Sequence, residues 1–222
     1  MKKIVTAFLT MCILCGLAVP AAAKSKAPAL RYGSDGKFRI LCFADAHQTR
    51  HDQPKMIAFM GEAIDYAKPD LVVFLGDNVY GDACETTETE LAAITKLLAP
   101  VVERGISFAF VWGNHDPEYN DGTGDSRPAL MEMYQSFPGC LGRADDPATP
   151  GASSYYLPVF SSKDGAKMGL NLWFFDTGRG TVEQSQLDWY KAASKRLQAE
   201  NGGVYDLVIA DDYIVVYHEN GP

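Results

Sequence analysis

Three short clusters of side chains that can bind metal ions stand out in the 222-residue sequence. Residues 45–47 are Asp-Ala-His, residues 76–78 are Gly-Asp-Asn, and residues 113–116 are Gly-Asn-His-Asp. Carboxylate, imidazole and amide groups of these kinds bind divalent and trivalent metal ions. Any one of these residues alone is more often a turn or helix-capping residue. Three clusters in one chain indicate a metal site instead.

Each cluster directly follows an apolar segment that we predict to be a buried β-strand, at residues 38–44, 71–75 and 107–112. In open α/β sheets, ligands bind beyond the carboxyl ends of the strands, so three such ends can surround one point. Gly76 and Gly113 at two of these ends allow the chain to turn sharply, because they carry no Cβ.

The other elements alternate with these strands. Residues 57–64 predict a helix that ends before Pro69, and residues 91–102 predict a second helix. Residues 116–151 are rich in Gly, Pro, Asp and Asn, and predict a long surface loop with one short helix. The remaining predictions are strands at 155–160 and 170–175, a helix at 184–198, and two apolar stretches within 204–217. This alternation predicts a layered α/β fold.

The first 23 residues have the pattern of a secretory signal peptide. Lys2 and Lys3 precede an apolar run at residues 4–19, and three alanines at 21–23 suit cleavage. The run is short for a membrane span, and lipidation at Cys15 is a lesser alternative. We therefore expect a secreted or periplasmic protein.

Residues 24–36 are expected to form a polar, irregular leader, and residues 37–222 one domain. The net charge is −8, with no basic cluster. Because Lys and Arg hold nucleic-acid backbones, we expect no nucleic-acid partner. A phosphate substrate remains compatible with this charge, since bound metal ions can supply positive charge locally.

Three cysteines lie beyond the signal segment. Cys42 is inside an apolar run, which predicts a small core residue. Cys84 and Cys140 lie in loop-like segments and could form a disulfide in an oxidising compartment, which the sequence leaves open.

The three clusters, in this order, resemble those of the calcineurin-like metallophosphoesterases. Residues 76–80 (Gly-Asp-Asn-Val-Tyr) and 112–116 (Trp-Gly-Asn-His-Asp) are most similar to the branch related to purple acid phosphatases. The resemblance covers about residues 38–197, including Gln-Leu-Asp-Trp-Tyr at 186–190. It implies a four-layer fold, in which a β-sandwich is flanked by helices. It also implies hydrolysis of phosphoric esters by two metal ions that activate a hydroxide.

By that resemblance, Asp45 and His47 bind the first metal ion, and Asp77 bridges both ions. Asn114 binds the second ion through its amide oxygen. A bridging carboxylate offsets the repulsion between two cations held roughly 3.5–4 Å apart. Mixed oxygen and nitrogen ligands favour Fe, Zn or Mn over Mg or Ca.

The resemblance also assigns the groups around the substrate. His115 would lie near the leaving oxygen, where it donates a proton or stabilises charge, and Asp116 would orient that imidazole. Purple acid phosphatases bind ferric iron through the tyrosine of Gly-Asp-x-x-Tyr, and they lack the histidine that follows Asp45 here. Because His47 is present, we expect Tyr80 to be a wall residue or a substrate contact.

The end of the sequence departs from the family pattern. The family next has a histidine after an apolar strand, to which His218 is matched, and then a Gly-His-x-His motif. No Gly-His pair occurs in this sequence, which ends at Pro222. We therefore expect a truncated chain that binds metal weakly, unless carboxylates replace the missing histidines; the candidates are Asp211, Asp212 and Glu219. His51 is expected to be a solvated residue that opens the first helix.

Two alternatives to a phosphatase remain open at this point. The chain could be a catalytically impaired secreted relative that acts as a binding or structural protein, in which case it need not retain metal ions. It could also be a phosphodiesterase with the same site, although the lack of a basic track disfavours a nucleic-acid substrate.

Overall fold

A computed structural model describes residues 29–118, 126–143, 153–163, 165–177, 180–202, 205–211 and 213–217. Within these ranges the strands are β1 (Leu30–Arg31), β2 (Ile40–Phe43), β3 (Leu71–Phe74), β4 (Phe108–Phe110), β5 (Tyr155–Phe160), β6 (Met168–Phe174), β7 (Tyr205–Ala210) and β8 (Tyr213–Tyr217). The α-helices are α1 (Pro54–Ala67), α2 (Thr87–Val102), α3 (Arg127–Gln135) and α4 (Gln184–Asn201). Short 3-10 turns span Gly81–Ala83 and Asp116–Glu118.

The strands form two sheets. One has the order β2-β3-β4, and all of its strands are parallel, with Val73 paired to Cys42 and to Ala109. The other has the order β1-β5-β6-β7-β8, in which β5 and β6 are antiparallel, β6 and β7 parallel, and β7 and β8 antiparallel. The three carboxyl ends of β2, β3 and β4 therefore lie at one edge of the first sheet, as predicted.

The two sheets stack face to face between layers of helix. Alternate residues of a strand point to opposite faces. Val72 and Phe110 pack in the core with α1, α2 and α3, whereas Val73 and Ala109 pack against β5 and β6. Helix α4 covers the outer face of the five-stranded sheet, where it contacts Trp173. The layers are helices, sheet, sheet and helix, which confirms the predicted α/β fold.

The helix ends follow local chemistry. Helix α1 begins with Pro54, whose missing N–H costs nothing in a first turn, and ends at Lys68 in a left-handed conformation. Helix α2 is capped by the side chain of Thr86, which accepts a hydrogen bond from the backbone N–H of Thr89. Helix α4 ends at Gly202, which adopts the left-handed conformation that glycine favours.

The leader is not irregular throughout, which corrects the expectation for residues 24–36. Leu30 and Arg31 form β1, parallel to β5, and Leu30 pairs with Val159 in the core between the sheets. A two-residue strand has no periodicity of its own, so only its distant partner reveals it.

None of the helices in the described ranges is long and apolar enough to cross a membrane. The predicted signal segment, residues 1–23, lies outside those ranges. Cys42 is half-buried beside the core between the sheets. Cys84 and Cys140 are not joined to each other by a disulfide in the structure.

Candidate metal centre

The hydrogen bonding between β2 and β3 continues beyond the strands into the loops that follow them. The N–H of Asp45 donates to the carbonyl of Gly76 at 3.2 Å, and that of His47 donates to the carbonyl of Asp77 at 2.9 Å. The N–H of Gln48 then donates to the carbonyl of Asn78 at 3.0 Å. These bonds hold the first two predicted clusters side by side.

Backbone strain is concentrated at the candidate ligands. Four non-glycine residues of the described chain have a positive φ: Lys68 at the end of α1, and Asp45, His47 and Asp77, at 53°, 43° and 47°. A non-glycine residue in this region costs of order 1–3 kcal/mol, and such residues cluster at functional sites. The hydrogen bonds between the two loops hold these conformations in place.

The side chains of three clusters converge on one point. One ligand atom from each of His47, Asp77 and His115 lies within 4.8 Å of the others. Nε2 of His47 is 3.5 Å from Oδ2 of Asp77 and 3.7 Å from Oδ1 of Asp45. Oδ1 of Asp77 accepts a hydrogen bond from the backbone N–H of His115 at 2.8 Å, which leaves Oδ2 directed at His47.

Gly113 permits this convergence because its loop lies against Asp77. A Cβ on Gly113 would lie 2.2 Å from Oδ1 and 2.3 Å from the backbone nitrogen of Asp77. Real Cβ atoms essentially never approach so closely. A glycine is therefore required where the loop after β4 meets the loop after β3.

Asp116 binds the backbone of the loops after β3 and β4 rather than a catalytic group. Its Oδ2 accepts from the N–H of Gly113 at 2.8 Å, and its Oδ1 accepts from the N–H groups of Asn78 and Val79 at 3.1 and 3.0 Å. Burial raises the pKa of Asp116 to about 7, although these three N–H groups lower it, and the charge of Asp77 raises it further. Asp116 thus fixes the loops that carry the ligands.

The expectation that Asp116 orients the imidazole of His115 is therefore wrong. Glu118 has that position: its Oε2 lies 2.7 Å from Nδ1 of His115. The 3-10 turn Asp116–Glu118 directs Asp116 inward and returns Glu118, three residues after His115, to the ring. The spacing of three residues between the histidine and a carboxylate was the sequence signal for this pair.

Tyr80 forms an aromatic wall beside both imidazoles. Its ring centroid lies 5.8 Å from that of His47 in a stacked arrangement, and 4.9 Å from that of His115 in an edge arrangement. This position agrees with the expected wall residue. His51 is exposed just before α1, as expected of a solvated residue.

Two predicted ligands remain, Asn114 and His218. Asn114 is exposed, between Gly113 and His115. His218 lies outside the described residues, and the strand before it, β8, is antiparallel to β7, so that Tyr217 pairs with Asp206 at the start of β7. Asp211 follows β7 at its opposite end, and its Oδ1 would lie 2.1 Å from a Cβ on Gly76.

The carboxylate and imidazole groups gathered at this centre are suited to binding a metal cation. The ion pairs of Asp45 and Asp77 in the described part of the chain are made with His47, a group that is charged only when protonated. Carboxylates brought together without Lys or Arg repel one another, and a metal ion removes that repulsion. Carboxylate and imidazole donors together suit Fe, Zn or Mn.

The chain is similar to known proteins over most of its length. Residues 38–222 match the model of a family described as calcineurin-like phosphoesterase. The chain is 32% identical to "Probable inactive purple acid phosphatase 14" of Arabidopsis thaliana, over 78% of its own length and 50% of that relative. It is 29% identical to "Probable inactive purple acid phosphatase 29" of the same plant, over 87% of its own length and 56% of that relative.

The chain is also 32% identical to "Phosphatase DCR2" of Saccharomyces cerevisiae, over 73% of its own length and 31% of that relative. It therefore spans about half or less of the length of these three relatives. Among solved structures, a dimetal phosphatase from Danio rerio is similar with a TM-score of 0.44 and 14% identity, over 71% of this chain and 52% of that one.

Proposed function

The chain belongs to the calcineurin-like phosphoesterase family, and on that premise we propose that it hydrolyses phosphoric esters at the centre around His47, Asp77 and His115. One observation carries the proposal: the ligand atoms of these three residues, from three separate loops, lie within 4.8 Å of one another. Strained backbone conformations cluster at active sites and ligand-binding sites, which supports the proposal.

The residues divide into ligands and substrate-facing groups. Asp45, His47, Asp77 and Asn114 would hold two metal ions, which supply Lewis acidity and lower the pKa of bound water. Asp77 suits the shared position because its Oδ1 is fixed by the backbone N–H of His115, so that the carboxylate cannot rotate away. The strained loops hold Asp45 and His47 beside it without reorganisation.

His115 would act as the general acid that donates a proton to the leaving group. A carboxylate only accepts hydrogen bonds, so Nδ1 of His115 carries a hydrogen toward Oε2 of Glu118. Nε2 is then the ring nitrogen that would face the substrate. A proton held at Nε2 passes to the ester oxygen as its bond to phosphorus breaks, and the alcohol departs neutral. Tyr80 limits the motion of both imidazoles and shields one side of them.

The test is hydrolysis of an aryl phosphate by the purified chain after removal of metal with a chelator and reloading with Mn²⁺, Zn²⁺ or Fe²⁺. We expect activity that depends on metal and is lost in Asp77→Asn, because a neutral amide bridges two cations poorly. Asp82→Asn is the matched control, since Asp82 is exposed in the neighbouring turn Gly81–Ala83. Near-normal activity and full metal content in Asp77→Asn would refute the proposed centre.

A second function follows from the relatives. Two of them carry the words "Probable inactive" in their names, which favours a member that binds metal and phosphate without turnover. Full metal occupancy with no hydrolysis of phosphate monoesters or diesters would support this alternative. Faster hydrolysis of a bis-aryl phosphodiester than of the monoester would instead support a phosphodiesterase.

A further inference from the structure

We propose that Ser126 and Arg127, at the start of α3, position the general acid of the centre. They act through the 3-10 turn Asp116–Glu118, in which Glu118 holds the ring of His115. The inference rests on the proposed function and extends it to two residues outside the three sequence clusters. Neither is a metal ligand or a group that touches the substrate.

The hydroxyl of Ser126 is bonded to this turn and not to its own helix. Ser126 is the N-cap residue of α3, where a serine side chain normally accepts a hydrogen bond from a backbone N–H of the first turn. It makes no such bond to α3, every residue of which the structure describes. Its Oγ instead donates to the carbonyl of Pro117 at 3.1 Å, and the residue is almost fully buried. This bond attaches α3 to the turn that carries Glu118.

The next residue attaches the start of α3 to the five-stranded sheet. Nη1 of Arg127 lies 3.5 Å from Oδ1 of Asp176, which follows β6 and whose side chain is fully buried. The backbone of Asp176 is itself fixed: its N–H donates to Oγ of Ser154 at 3.3 Å, and its carbonyl accepts from Nε2 of Gln186 at 2.7 Å. Because a buried carboxylate is costly without a cationic partner, the pair gives Arg127 a defined position.

The consequence for catalysis follows from what each contact holds. A 3-10 helix of three residues has weak hydrogen-bond geometry of its own, so its position depends on its neighbours. A misplacement of about 1 Å can cost 10²-fold in rate, and here it would fall on the general acid. The ligands His47 and Asp77 are held by the hydrogen bonds between their two loops. Loss of the α3 contacts should therefore impair proton donation and spare metal binding.

The first test compares hydrolysis of an alkyl phosphate and a dinitrophenyl phosphate by metal-loaded Ser126→Ala. We expect kcat to fall roughly 10-fold for the alkyl ester, whose leaving group needs a proton, and by less than about twofold for the dinitrophenyl ester. KM and metal content should not change. Ser136→Ala is the matched control, since Oγ of Ser136 also donates to a backbone carbonyl, that of Met133, at the exposed opposite end of α3.

The ion pair is tested in the same assay. Arg127→Gln should reproduce the pattern of Ser126→Ala, and Arg127→Lys, which keeps the charge opposite Asp176, should recover part of the loss. Arg104→Gln is the control, because Arg104 pairs with Asp65 on the surface, between α1 and α2.

The second test does not depend on turnover. Proton and ¹⁵N NMR of the metal-free chain reports the Nδ1–H group of His115, whose signal is assigned by its absence in His115→Asn. In the wild type this proton should be protected from exchange, because it is bonded to Glu118. Ser126→Ala and Arg127→Gln should broaden or lose the signal, whereas Ser136→Ala should keep it.

Equal losses on the two esters, or an unchanged Nδ1–H signal in the folded variants, overturn the inference and leave the proposed function standing. A wild-type chain that hydrolyses neither ester refutes the proposed function, and the NMR comparison then decides the positioning role by itself. Circular dichroism verifies folding. If Ser126→Ala does not fold, equal kcat values and equal NMR signals in wild type, Arg127→Lys and Arg127→Gln overturn the inference.

Discussion

Oε2 of Glu118 lies 2.7 Å from Nδ1 of His115, and both side chains are largely withdrawn from solvent. A carboxylate at this distance fixes the tautomer of the ring and its orientation, because it accepts the hydrogen of one nitrogen. The pair lies within a single turn of 3-10 helix, which is itself held against the loop after β3 by the hydrogen bond from the N–H of His115 to Asp77.

Glu118→Gln should lower turnover by roughly 10-fold, a fraction of the contribution of a full general acid. A neutral amide still bonds to Nδ1 but does not stabilise the protonated ring. The loss should be greater for an alkyl phosphate than for a dinitrophenyl phosphate, whose leaving group needs no proton. KM and metal content should stay unchanged. Glu132→Gln, an exposed position on α3, serves as control; equal losses on both substrates would contradict the positioning role.

His115→Asn should retain metal and lose turnover by roughly 10²–10⁴-fold, as expected when a general acid is removed. The backbone N–H that donates to Oδ1 of Asp77 remains in this variant, so the Asp77 carboxylate should keep its position. Metal content by elemental analysis and steady-state kinetics measure the two effects. Loss of metal would mean that the imidazole is itself a ligand.

Gly113→Ala should destabilise the protein and abolish metal binding. The new methyl group would meet the backbone nitrogen of Asp77 at 2.3 Å, and backbone atoms have no alternative rotamer to relieve the contact. Gly180→Ala is a suitable control, because the nearest atom to its Cβ would be 3.8 Å away. Thermal unfolding with and without Mn²⁺ gives the measurement. A variant that unfolds at the wild-type temperature and still binds Mn²⁺ would refute the close packing of the two loops.

The buried carboxyl group of Glu90 should make the stability of the folded protein depend on pH. The Glu90 side chain is fully buried on α2, and burial raises its pKa to about 8 from an ordinary value of 4.5. The Cys84 thiol beside it lowers that pKa, and the charge of Asp116 raises it. Between these two pH values the folded protein keeps the proton while the unfolded chain releases it.

The free energy of unfolding should accordingly fall as pH rises from about 4.5 to about 8, by up to ~1.4 kcal/mol per pH unit from this group, and level off above. Glu90→Gln should remove this pH-dependent contribution. The free energy of unfolding of the variant should therefore increase relative to that of the wild type as pH rises from about 4.5 to about 8. Urea unfolding at several pH values tests this, with exposed Glu88→Gln as control. A difference between wild type and Glu90→Gln that does not change with pH would contradict it.

The sequence was sufficient for the parts of the site that depend on local pattern. Apolar runs followed directly by candidate ligand clusters located β2, β3 and β4 and placed Asp45, Asp77 and Asn114 after their ends. The direction of a side chain after a turn is not a local property, so the sequence assigned the contact with His115 to Asp116, whereas Glu118 makes it. Leu30 in β1 depends on a partner more than a hundred residues away, Val159, which no local pattern reveals.

The positions of these residues along the chain also predict when the centre forms during folding. The side chains that converge at this centre lie between β2 and the turn that ends at Glu118, in parallel units joined by α1 and α2. Because nearby contacts form faster than distant ones and domains fold as they are synthesised, we expect these loops to meet while β5 is still on the ribosome. The face of the first sheet with Val73 and Ala109 is then uncovered until β5 and β6 arrive. Until then the nascent chain exposes an apolar surface of the kind that favours aggregation.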